Sequence, residues 1–79
     1  MNEKMTEVRK LAAEVFNASL EQVPPDARFG SVPGWDSLGH MRLLMLLEER
    51  YRITISEERI RAFLSLRAIA EYLGGGEKG

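Results

Sequence analysis

From Glu3 to Phe16 the apolar residues Met5, Val8, Leu11, Ala12, Val15 and Phe16 recur at spacings of three and four, with Glu7, Arg9, Lys10 and Glu14 between them. That periodicity predicts an amphipathic helix with one buried stripe, stopped at Asn17. The pattern then breaks. In "SLEQVPPDARFGSVPG" the residues Pro24, Pro25, Gly30, Pro33 and Gly34 together rule out a continuous helix. A loop of this length in so short a chain is functional or is pinned by its own side chains. Leu20, Val23, Phe29 and Val32 are the candidates for the pinning.

A second helical pattern opens at Asp36, whose carboxylate can accept from orphan amides of the first turn, and runs to about Tyr51. "RITI" reads as a short extended link, too isolated to build a sheet. Ser56 is the next expected cap, with Glu57 and Glu58 in the first turn where the helix dipole favours them. That helix, through Ile60 and Phe63, is expected to be short. Ser65 reads as a further cap, and Leu66, Ile69, Ala70 and Leu73 form a last apolar stripe that Gly74 should end. The expectation is an all-α bundle of three main helices plus one short one, with a long loop between the first and second helices. It forms one domain over residues 1–73, followed by a disordered tail over 74–79.

The second helix is more apolar than a core requires. At about 100° per residue, His40, Leu43, Leu44, Leu47 and Tyr51 fall on one side, the natural core face. Leu38, Met41, Arg42, Met45 and Glu49 fall opposite. Two readings stay open for Leu38, Met41 and Met45: they pack under the long loop, or they form an exposed docking stripe in which flexible thioethers adapt to several partners. Trp35 is equally open, as a partner contact or as a plug over the loop.

Composition narrows the chemistry. The chain has 79 residues and no cysteine, which excludes disulfides, cysteine-based zinc sites and thiol chemistry by the chain itself. Eleven basic and twelve acidic residues leave a formal charge of -1, with no strong field for nucleic acid or anionic lipid. The sequence shows neither the apolar stretch of a signal peptide nor a membrane-length apolar run, so a cytoplasmic protein is expected. Asn17-Ala18-Ser19 then matches a glycosylation sequon by chance.

At the junction of loop and second helix stands Asp36-Ser37-Leu38. A hydroxyl in the first helical turn lies beside unsatisfied backbone amides, and the positive end of the dipole favours a phosphate there. Ser37 and His40 also lie three apart, as a nucleophile and base could, but no orienting acid, oxyanion hole or pocket is evident to complete a hydrolase. From another class, Arg59, Arg61 and Arg67 allow a helix-turn-helix DNA-binding module, against which the balanced charge argues for a solvated face.

Taken together, "VPPDARF", "GWDSLGHMRLLMLLEERYRITIS" and "LRAIAEYL" resemble the acyl carrier proteins in the order and spacing of their elements. The resemblance implies that Ser37 receives 4'-phosphopantetheine from coenzyme A through a separate Mg-dependent phosphopantetheinyl transferase, with Asp36 as helix cap and part of what the transferase recognises. It implies a monomeric carrier rather than an enzyme, bearing acyl or aminoacyl groups as thioesters between a ligase or synthase and an acyltransferase. No nucleic acid or membrane partner is expected. Leu38, Met41, Arg42, Met45, Glu48 and Glu49 become the expected partner face. Fatty-acid-synthesis carriers usually present a strongly acidic second helix, whereas here Gly39, His40, Met41 and Arg42 follow Asp-Ser-Leu, and Trp35 precedes it. These departures point to a specialised carrier rather than the housekeeping one. A peptidyl-type or D-alanyl-type carrier, the latter suggested by Gly39, is the alternative within the family.

Overall fold

The computed structural model describes residues 3–75. Helix α1 covers Glu3–Phe16, α2 Ser37–Tyr51, α3 Glu57–Ala62 and α4 Leu66–Gly75, with one 3-10 turn, Leu20–Gln22, in the long loop. This is the expected all-α arrangement of three main helices and one short one. Among the described residues there is no strand; the "RITI" segment is an irregular link, and Arg28 and Ser65 form an isolated antiparallel bridge.

Each helix boundary has a local cause. Asn17 takes a left-handed conformation at φ 56°. The amide of Ala18 then reaches the Ala13 carbonyl at 2.9 Å while that of Asn17 reaches Glu14, a Schellman closure of α1. Arg52 ends α2 in the same left-handed region, with φ 59° and its amide on the Glu48 carbonyl. Ser56 Oγ accepts from the Arg59 amide at 3.2 Å and Ser65 Oγ from the Ala68 amide at 3.1 Å, so both expected caps form. Helix α4 continues through Gly74, which was expected to end it, as far as Gly75. The remainder of the expected tail, 76–79, lies outside the described residues.

The core forms where α1 packs on α2 and α4. Val8, Leu11, Ala12 and Phe16 meet Leu43, Leu44 and Leu47 of α2, Phe63 after α3, and Leu66, Ile69 and Leu73 of α4, all buried. The long loop joins this core through Val23, Ala27, Val32 and Trp35. Of the four side chains expected to pin it, Val23 and Val32 do so, whereas Leu20 and Phe29 each stay 39% exposed. Polar contacts hold the loop as well. Arg9 of α1 donates to the Val23 and Leu20 carbonyls at 2.6 and 2.9 Å. The Phe29 amide reaches Leu64 O at 2.8 Å, and the Leu66 amide reaches Ala27 O at 3.0 Å.

Candidate functional site: the start of the second helix

The loop delivers Asp36 to the start of α2 in an extended conformation. Its Oδ1 accepts from the Gly39 amide at 2.9 Å, and its carbonyl accepts from the His40 amide at 2.7 Å. Ser37 is the first helical residue. It is exposed, and its hydroxyl has no hydrogen-bond partner among the described residues. The amides of Ser37 and Leu38 have no acceptor within an α-helix, so the positive end of the α2 dipole surrounds the Ser37 hydroxyl. The arrangement suits a phosphodiester on Ser37 Oγ: a free nucleophilic oxygen, room outside the helix, and a field that stabilises negative charge.

Two glycines set where that helix begins. Gly34 adopts φ +94°, a conformation that L side chains rarely take, and a Cβ there would lie 3.2 Å from Phe16. Gly39 meets the loop so closely that a Cβ would fall 1.9 Å from the Gly34 carbonyl oxygen. The close approach of loop to helix therefore requires a glycine inside α2, where glycine costs about 1 kcal/mol relative to alanine. That propensity violation was the one visible signal for Gly39.

Beneath this turn lies a buried aromatic and polar cluster. Trp35 is 1% exposed and stacks on Phe16 with ring centroids 5.3 Å apart. Its indole N–H donates to His40 Nδ1 at 3.0 Å. An imidazole that accepts at Nδ1 carries its proton on Nε2, which donates to the Ile60 carbonyl at 2.8 Å. Phe29 meets the same ring edge-on at 5.5 Å. His40 thus ties loop, α2 and α3 together. Of the two readings of Trp35, the plug is the one observed. The nucleophile–base pairing of Ser37 with His40 is overturned, since both ring nitrogens are engaged in the interior.

The outer face of α2 is exposed. Leu38 is 64% and Met45 62% accessible, and Met41, Arg42, Glu48 and Glu49 are exposed too. These apolar side chains do not pack under the loop. Arg42 makes no ion pair or hydrogen bond among the described residues, whereas Arg59 is occupied by the Thr54 carbonyl and by the Tyr72 hydroxyl and ring. The basic stretch that suggested DNA binding is in this respect a structural latch between α3 and α4.

The chain is similar to known proteins over most of its length. Residues 6–73 match the family described as the phosphopantetheine attachment site. The chain is 31% identical over 67 residues to an acyl carrier protein of Helicobacter pylori, covering 85% of this chain and 86% of that one. It is 32% identical over 63 residues to an acyl carrier protein of Streptomyces coelicolor, covering 80% of this chain and 68% of that one. Matches over that share of the chain do not favour a DNA-binding module. The chain belongs to the acyl carrier proteins, which bear covalent 4'-phosphopantetheine and serve a phosphopantetheinyl transferase and biosynthetic enzymes as carriers.

Proposed function

We propose that Ser37 is the attachment residue. The observation that carries this is its exposed, unpartnered hydroxyl at the first position of α2, beside the cap formed by Asp36. Ser37 Oγ would attack the pyrophosphate of coenzyme A on a transferase, form the phosphodiester, lose its proton to that enzyme and release adenosine 3',5'-bisphosphate. The attached group supplies the thiol that the cysteine-free chain lacks. Asp36 holds the first turn so that Ser37 points outward. The Leu38, Met41, Arg42, Met45, Glu48 and Glu49 face is read in turn by the transferase, a ligase or synthase, and an acyltransferase. Such docking is weak and fast, because each partner must release the carrier. The carrier acts as a monomer in the cytoplasm.

The test is intact mass after incubation with coenzyme A and a broad-specificity phosphopantetheinyl transferase. The native chain should gain one phosphopantetheine and Ser37→Ala none. An equal gain on both, or none on the native chain, removes the assignment.

Within the family, Arg42 favours a specialised carrier of an amino acid or unusual acyl group. It places a cation on the exposed face of α2, where a basic enzyme patch built for an acidic helix would be repelled.

A further inference from the structure

Two adjoining clefts run along the seam between α1 and α2. One, of about 240 Å³, is lined by Asp36, Leu38 and Arg42 among others. The next, of about 410 Å³, is lined by Glu14, Val15, Arg42, Met45, Leu46 and Glu49. Arg42 and Val15 belong to both, so the clefts form one groove. Its charges are ordered: Asp36 at one end, Arg42 in the middle, and Glu14 with Glu49 at the other. Arg42 pairs with none of these carboxylates, and Glu14 and Glu49 likewise form no ion pair among the described residues. At 1.5 Å per residue, Asp36 lies about 9 Å from Arg42 and Glu49 about 10 Å beyond it along the helix axis.

We propose that this groove receives an amphipathic helix of a partner enzyme, bearing one acidic side chain with a basic side chain about two turns away on either side. The proposal rests on the carrier reading and extends the partner face onto α1. Leu38 and Met45, each more than 60% exposed, lie between the charges and are covered by the apolar ridge of that helix. The partner's acid meets Arg42, and its bases meet Asp36 and the Glu14–Glu49 pair. Ser37, Met41 and Glu48 lie on the other flank of α2, with Ser37 turned about 100° from Leu38. A helix seated in the groove therefore leaves the serine open.

The test uses two synthetic helical peptides of about eighteen residues. They share one apolar stripe and carry Lys–Glu–Lys or the reversed Glu–Lys–Glu at the stated spacing. Each is titrated into the isotope-labelled chain by NMR. The Lys–Glu–Lys peptide should shift the amides of Val15, Arg42, Leu46 and Glu49 and bind at least about fivefold tighter than the reverse, the scale of an exposed ion pair. That preference should shrink in about 0.5 M salt. Arg42→Gln should weaken the discrimination, and Arg42→Glu should weaken it further. Equal binding of the two peptides, no binding by either, or shifts centred on the Ser37–Met41–Glu48 flank would overturn the proposal. The same native sample is then given coenzyme A and transferase. A mass gain beside a failed titration removes the groove alone, whereas no gain removes the carrier reading beneath it.

Discussion

The indole N–H of Trp35 donates to Nδ1 of His40, five residues further on and across the loop–helix junction, at 3.0 Å. His40 in turn reaches Ile60 of α3, so one buried imidazole fixes the direction in which α2 leaves the loop. Among the described residues no buried side-chain nitrogen or oxygen lacks a partner.

Trp35→Phe should keep a ring against Phe16 but leave His40 Nδ1 buried without a donor. The expected loss is about 2 kcal/mol, from an unsatisfied buried polar group and lost volume. Urea denaturation checks it; a midpoint equal to that of the native chain would show that the hydrogen bond is immaterial.

Gly39→Ala should destabilise although alanine is the better helix former. The added methyl falls on the Gly34 carbonyl oxygen, and overpacking of this kind costs about 1–3 kcal/mol. Met41→Ala, two residues away and on the exposed side, should change stability by less than about 0.5 kcal/mol. The two unfolding curves compared with the native one separate close approach from helix propensity.

The Tyr51 hydroxyl donates to Glu7 at 2.7 Å, joining the end of α2 to α1. That bond is the main reason the Glu7 carboxyl is held below its usual range, while burial first and Glu7 second push Tyr51 up to about 12. A lowered acid stabilises the fold above its unfolded value and loses that contribution as pH falls through the lowered range. A raised phenol contributes fully below about pH 10 and loses its contribution as pH rises toward 12. The stability advantage of the native chain over Tyr51→Phe should therefore be flat near neutrality, and shrink both in acid and above pH 10. A difference in Tm that does not vary with pH would contradict the coupling.

Arg52 holds a left-handed conformation that costs a non-glycine residue about 1–2 kcal/mol. Arg52→Gly should relieve it, less the greater entropy of glycine in the unfolded chain, for a net gain of up to about 1 kcal/mol. A lowered unfolding midpoint would mean that the arginine side chain makes good the strain.

Arg42→Glu should improve docking to fatty-acid-synthesis enzymes that expect an acidic second helix, seen as a lower Kd. An unchanged or weaker affinity would show that Arg42 does not discriminate among partners.

Much of this was legible in the chain. The spacing of Val8, Leu11, Ala12 and Phe16, the turn residues from Pro24 to Gly34, and Asp36, Ser56 and Ser65 as caps determined the helices and their starts, because periodicity and capping act over a few neighbouring residues. The same local reading placed Ser37 at a helix end and separated the core side of α2 from the Leu38, Met41 and Met45 side, whose exposure only the packed structure decided. Tertiary structure alone decided that Trp35 is an interior plug, that His40 is held at both nitrogens, that Phe29 stays half outside, and that Gly39 touches Gly34. It also decided that Val15 of α1 shares a groove with Arg42 of α2. Each of these depends on where one element lies against another. Packing distances of that kind follow from the whole core settling at once, and no local periodicity encodes them.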